Sequence, residues 1–363
     1  MIEESISLIQ PLDRTAMEKC QLRLDNLTKP LNSLHSFEHL ALQMAGITGL
    51  PRPQNIKKSI ILMAADHGVA AEGVSAYPQQ VTVQMVKNYI DGGAAVTIFA
   101  EHVGAQLALV DIGVANELPP ALELHHEKIA FGTGNIAVGP AMTTEQARKA
   151  IEVGIKIARQ EIAKGSRVLG LGEMGIANTT SATAIIACYS SLPVAALCGR
   201  GTGISDEMFN RKIQVIEKAL SVNQPDGNDP IAVLSKVGGL EIAGLVGVIL
   251  AAASGGAAVI LDGLITTAAA LIAVKIAPNV KDYLIGSHIS TEPAHKVALD
   301  MIGVPAHLHL DMRLGEGTGA ALGMSLVNAA LHVINDMKTF GEAEVEVAQD
   351  GPGALKQTKN VKD

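Results

Sequence analysis

Short apolar runs recur along this chain, and most of them stop at an acid or a glycine just before a helix-length segment begins. The runs are SIILMAAD (59–66), AQLALVDIGV (105–114), SRVLGLGE (166–173), PVAALCG (193–199), AAVILDG (257–263) and HLHLDMRLGEG (307–317). Helix-like stretches at 79–101, 143–164, 205–221 and 264–276 lie between them. Strand, crossover helix, strand is the signature of an α/β fold with a mostly parallel sheet flanked by helices. In such sheets ligands gather beyond the carboxyl ends of the strands, so the informative residues should follow the apolar runs. Residues 1–50 read as helical, with leucines at helical spacing broken at Pro30, and Pro51-Arg52-Pro53 reads as a linker. From Gly341 the chain turns polar and reads as a loose C-terminal tail.

Only 2% of the 363 residues are aromatic while 48% are hydrophobic, so the core must be built from Ala, Val, Ile and Leu. A formal charge of -8 and the scarcity of aromatic rings argue against a nucleic-acid partner. Cys20, Cys188 and Cys198 are odd in number and lack metal-ligand spacing, which suits reduced thiols in a cytoplasmic protein. The N-terminus is acidic where a secretion signal would be basic. A 20-residue uncharged run between Glu241 and Asp262 is interrupted at Ser254-Gly255-Gly256. It reads as a buried helix, a turn and a strand rather than a membrane span.

Three glycine-rich turns carry the chemistry. In Gly172-Glu-Met-Gly-Ile-Ala-Asn178 a strand ends at an acid and a small-residue helix follows. Gly175 permits close backbone approach, and Asn178, Thr179 and Thr180 can cap the helix start, whose amides form an anion site. Glu173 in that turn points to function. The second turn, Cys198-Gly-Arg-Gly-Thr-Gly-Ile204, lacks the dinucleotide spacing, but Arg211 and Lys212 stand close enough in sequence to reach a phosphate held there. The third, Asp311-Met-Arg-Leu-Gly-Glu-Gly-Thr-Gly-Ala320, sets Glu316 between two glycines, where partial desolvation would raise its pKa toward general-base duty.

Other residues have plainer readings. His307, His309 and Asp311 fall on one strand face and tempt a metal reading, although histidines flanked by leucine suit a hydrogen-bonded core better. Asp66-His67-Gly68 reads as a turn organised by Asp66, with Gly68 in a strained conformation. Tyr77, Pro78 and Met85 would make a flat slot for an aromatic ring.

The motifs DHGVAAEGVSAYPQQVT, GNIAVGPAM, GEMGIANTTSATA, VNQPDG, AVLSKVGG and RLGEGTGAAL occur in that order. Together they resemble the nicotinate-nucleotide:5,6-dimethylbenzimidazole phosphoribosyltransferase family, which activates the lower-ligand base of cobamides. The resemblance spans residues 5–338. It implies a large Rossmann-like domain (51–319), a small helical domain from both chain ends (1–50 with 320–340) and a dimer. It implies transfer of phosphoribose from nicotinate mononucleotide to a base with inversion, without cofactor or metal, because the pyridinium is already a good leaving group. By motif, Glu316 resembles the family's general base, with Glu173 orienting the reactants. Gly175, Asn178, Thr179, Gly201, Lys212 and Ser290 match the ribotide-phosphate lining, and Tyr77, Pro78, Met85, Met174 and Leu314 the base pocket. Tyr77 and Met85 leave an apolar slot, which keeps a phenol or p-cresol acceptor, with a homologous partner subunit, as an alternative. A non-catalytic partner subunit is a second alternative, against which the two glutamates stand. A dehydrogenase would need GxGxxG after the first strand, where this chain has Asp-His-Gly-Val.

Overall fold

The computed structural model describes residues 1–120 and 123–362. Six strands form a wholly parallel sheet: β1 (Lys57–Ala65), β2 (Ala105–Gly113), β3 (Leu124–His126), β4 (Ser166–Met174), β5 (Ala258–Leu261) and β6 (Leu284–Gly286). Their spatial order is β3-β2-β1-β4-β5-β6, the doubly wound order, with the reversal of winding between β1 and β4. From Ser59 to Ala65, β1 is buried at every position, and from Val168 to Met174 so is β4. That is why these runs read as continuously apolar rather than alternating.

Helices cover both faces. Gly170 of β4 packs on Ala320 and Met324 of the helix Thr318–Asp336, on the face that also carries Ile60. Met63 points the other way and meets Gly244 of the helix Leu240–Ser254. That second helix is crossed by Thr144–Ala163 through glycines: a Cβ on Gly154 would overlap the Gly244 carbonyl, and one on Gly247 the Ile151 carbonyl. The uncharged run therefore resolves into a core helix and β5, and among the described residues no helix is long and apolar enough to cross a membrane.

Several sequence expectations are corrected. The run 193–199 is not a strand: Val194–Leu197 is one helical turn, with Val194 and Leu197 buried and the two alanines between them exposed. The run 307–317 contributes only β8 (Leu308–His309), paired in parallel with β7 (His288–Ile289) in a separate two-stranded sheet. The stretch 79–101 splits into Gln80–Ile90 and Ala95–His102, parted by Gly92 at φ 75°. The tail is not loose throughout. Gln357 donates to the Lys29 carbonyl at 3.0 Å, the Thr358 amide donates to Asn26 Oδ1 at 2.7 Å, and the Thr339 hydroxyl donates to the Val361 carbonyl at 2.7 Å. The chain ends meet where buried Arg23 donates to the Ile334 carbonyl and pairs with Glu342 at 3.0 Å.

Candidate active site

A cleft of about 870 Å³ opens beyond the carboxyl ends of β1, β4 and β5, at the reversal of winding. Glu173 enters it as the penultimate residue of β4, and Glu316 comes from the loop that leads into the helix Thr318–Asp336. Three consecutive residues there, Gly315, Glu316 and Gly317, hold positive φ (84°, 65° and 93°). For Glu316 this is a strained conformation, costing about 1 kcal/mol or more, and such strain concentrates at functional sites. Close packing enforces it. A Cβ on Gly172 would come within 2.7 Å of the Glu316 carbonyl, and one on Gly315 within 2.5 Å of Glu173 Oε1.

The two carboxyl groups are buried but differently tied. Glu173 accepts from the Asn178 side chain on one oxygen and from the Glu316 amide, at 3.3 Å, on the other. Glu316 Oε2 is buried with no hydrogen-bond partner. Burial, reinforced by the charge of Asp262, lifts the Glu173 carboxyl to about 8 and the Glu316 carboxyl to about 7. Asp262, just past β5, accepts the amides of Gly317 and Gly319 at 2.9 and 2.7 Å and so anchors the start of that helix. Buried His288 stands 4.0 Å from it, and desolvation keeps the imidazole below its ordinary pKa.

At the second end of the cleft the helix Asn178–Tyr189 begins after Ala177, which holds φ 76°. Here the capping expectation fails: no side chain caps this helix, because Asn178 is drawn to Glu173 and the Thr179 hydroxyl accepts from Lys212 at 2.8 Å. The Asn178 and Thr180 amides donate to the Gly175 and Ala177 carbonyls at 3.1 and 3.0 Å, so what this helix start offers an anion is the Thr179 amide and the positive end of the helix dipole. Fully buried Lys212 also donates to the Gly199 carbonyl at 3.2 Å, and burial lowers its pKa despite the attraction of Glu292. Glu292 Oε1 accepts the Gly201 amide at 2.8 Å, holding the loop whose Gly201 and Gly203 take φ 52° and 91°.

The cleft wall therefore brings together Glu173, Met174, Gly175, Asn178, Thr179, Gly201, Ser290, Glu316, Tyr77, Met85 and Leu314. Lys212 lies behind it under Thr179, and Pro78 is off the wall, exposed in the turn that leads into Gln80–Ile90. Tyr77 and Leu314 are more than half exposed, as befits a mouth, and the Thr202 hydroxyl ties the two rims by accepting the Ala76 amide at 2.9 Å.

Sequence reasoning missed Asp262, Glu292, His288 and Arg313. Asp262 carried the same signal as Glu173, an acid closing an apolar run. Glu292 and His288 flank Ser290 without any glycine pattern to mark them.

The remaining motifs are structural. His67 is wholly buried between Glu241, at 2.6 Å, and Ser181, at 3.1 Å. Gly68 is needed for close approach to the 133–135 backbone, not for a left-handed φ. His309 and Asp311 are exposed, and Asp311 at φ 52° ends the strand alternation that would have aligned it with the histidines. Among the described residues no three His, Cys, Asp or Glu side chains gather to hold a metal ion.

A doubly wound sheet with a cleft at its reversal of winding and two buried glutamates in the cleft wall is the architecture of an α/β enzyme acting on a small molecule. A phosphoribosyltransferase family model matches residues 9–345. The nicotinate-nucleotide–dimethylbenzimidazole phosphoribosyltransferase of Geobacter sulfurreducens is 50% identical over 95% of this chain and 98% of its own length. That of Chloroflexus aggregans is 51% identical over the same shares. The crystal structure of CobT from Thermus thermophilus superposes with a TM-score of 0.88 at 43% identity, covering 92% of this chain and 99% of that one. The chain belongs to the nicotinate-nucleotide–dimethylbenzimidazole phosphoribosyltransferase family.

Proposed function

We propose that this enzyme transfers phosphoribose from nicotinate mononucleotide to 5,6-dimethylbenzimidazole, releasing nicotinate and an α-ribotide. The observation that carries the reading is Glu316: a buried carboxylate in the cleft wall, strained into place, with one oxygen unpartnered and its pKa lifted to about 7. The phosphate sits at the helix start after Ala177, on the Thr179 amide, with Lys212 and Ser290 near it. The benzimidazole lies between Tyr77, Met85 and Leu314.

The ring nitrogen that carries no proton attacks C1′ from the face opposite nicotinate, and Glu316 takes the proton from the other ring nitrogen. The C1′–pyridinium bond breaks with its electron pair going to nicotinate, so β becomes α. Glu173, tied on both oxygens, holds the reactants in line. Because Glu316 must be ionised, turnover rises with pH through about 7.

We also propose the division into a small helical domain (1–50 with 320–340) and a large one (51–319), a dimeric assembly and a cytoplasmic setting. The three free cysteines support the setting, and the junction of the chain ends at Arg23 supports the division. The curated relatives carry the benzimidazole name, and nothing favours the phenolic acceptor or a non-catalytic subunit.

The test is a product assay with purified protein, nicotinate mononucleotide and dimethylbenzimidazole or p-cresol in separate reactions, read by mass spectrometry. A benzimidazole ribotide is expected, with Glu316→Gln slower by about 10²-fold or more and its nicotinate mononucleotide affinity retained. No ribotide from the wild-type chain would sink the reading.

A further inference from the structure

Two buried polar atoms at the catalytic corner lack a hydrogen-bond partner: Glu316 Oε2 and the Tyr89 hydroxyl. Orphaned buried groups are rare, and these two lie close enough for the Tyr89 hydroxyl to act on the Glu316 carboxylate. Tyr89 lies one turn beyond Met85 and two beyond Val81 on the stripe that the helix Gln80–Ile90 turns toward the cleft. It is only 3% exposed and does not line the cleft, so it approaches Glu316 from beneath the wall. Burial and the charges of Glu316 and Glu173 push its phenol above the ordinary value, so it stays a neutral donor.

The other groups around Glu316 are engaged. Glu173 is tied to Asn178 and the Glu316 amide, Asp262 to the Gly317 and Gly319 amides, and His288 Nδ1 lies 3.2 Å from Ser287. We infer that Tyr89 is a positioning residue for the base: its hydroxyl donates to the Glu316 carboxylate and turns the remaining lone pairs toward the incoming nitrogen. The inference rests on Glu316 being that base. A hydrogen bond to the charged form favours ionisation, so Tyr89 opposes the upward push of burial and Asp262 and keeps Glu316 competent near neutral pH.

The experiment is a pH titration of glutamate carboxyl resonances in ¹³C-labelled full-length wild type and Tyr89→Phe, with Glu316→Gln identifying the Glu316 signal. In Tyr89→Phe the Glu316 midpoint should move up by roughly one unit. An unchanged or lowered midpoint would overturn the inference.

The kinetic counterpart is a matching upward shift in the acid limb of kcat, with KM for nicotinate mononucleotide within about twofold. A uniform loss of kcat with an unmoved inflection means that Tyr89 only packs, and overturns it too. Adding Tyr89→Phe to Glu316→Gln should cost no further rate; an additional loss would assign Tyr89 another role. If the wild-type chain forms no ribotide, the transferase reading fails, while the titration still decides whether Tyr89 governs Glu316.

Discussion

Glu173 and Glu316 are two carboxyl groups that burial lifts unequally. Glu173, the more deeply buried, holds its proton to about 8, while Glu316 yields its own near 7. That gap lets one carboxyl serve as base while its neighbour stays neutral. It also has a cost in stability. An acid whose folded pKa exceeds its unfolded value of roughly 4.3 stabilises the fold fully below that value. The contribution is lost as pH rises to and through the folded pKa. Glu173→Gln, which cannot ionise, should therefore stabilise the unliganded protein above pH 8, by on the order of 3 kcal/mol, and much less at pH 5. Urea unfolding at the two pH values measures this; equal gains at both would show that Glu173 carries no ionisation penalty in the fold. The residue type at this site was legible because glycine-rich turns after apolar runs expose an acid in both cases. The tilt of roles between the two was not, since it depends on the depth of burial and on Glu241 and Tyr89 arriving from other elements.

Elements were legible where length and period agreed, and misread where only one of them spoke. The run 257–263 is long enough and β-branched enough to be a strand; 193–199 had the same apolar density, yet Val194 and Leu197 already stood at helical spacing after Pro193, a residue common at helix starts. In 307–317 the strand lasts only two residues and then breaks against positive φ at Asp311 and again at 315–317, where the loop needs curvature rather than extension. β3, β6 and β7 are too short to leave any pattern. The small-residue bias of the chain has its reason at the same scale. Thr144–Ala163 and Leu240–Ser254 cross with backbone against backbone, so that the helix behind β1 and β2 fits in a thin layer. Gly247→Ala, whose new methyl would run into the Ile151 carbonyl, should lower stability by about 1–3 kcal/mol, despite alanine's better helix propensity. Thermal unfolding checks it, and a raised midpoint would show that the crossing can open without strain.

At the scale of the whole molecule the two ends of the chain close around one another while the catalytic residues stay on the sheet between them. The helix Thr318–Asp336 starts at the Glu316 turn and finishes where Arg23 gathers the Ile334 carbonyl and Glu342, so one element ties the cleft to the terminal helices. Beyond that junction, residues 345–362 dock on the rest of the chain: Gln357 donates to the Lys29 carbonyl, the Thr358 amide donates to the buried Asn26, and the Val361 carbonyl accepts from Thr339. Their composition is that of a solvated tail, which is why sequence pattern could not reveal the docking; hydrogen bonds to backbone carbonyls leave no hydrophobic signature. None of these residues lines the cleft. Truncation after Glu344 keeps the Arg23–Glu342 pair but leaves Asn26 Oδ1, on a fully buried side chain, without its donor. Such a loss is worth about 1–3 kcal/mol, or roughly 1–4 °C in melting midpoint for a chain of this length. Turnover per folded molecule should stay within about twofold, because the Glu316 turn is held by Asp262 and Gly172 rather than by the tail. A scan of melting midpoint and initial rate on the truncated chain separates the two effects: an unmoved midpoint would show the tail docking weakly, and a collapsed rate in a folded protein would place the tail in the catalytic cycle.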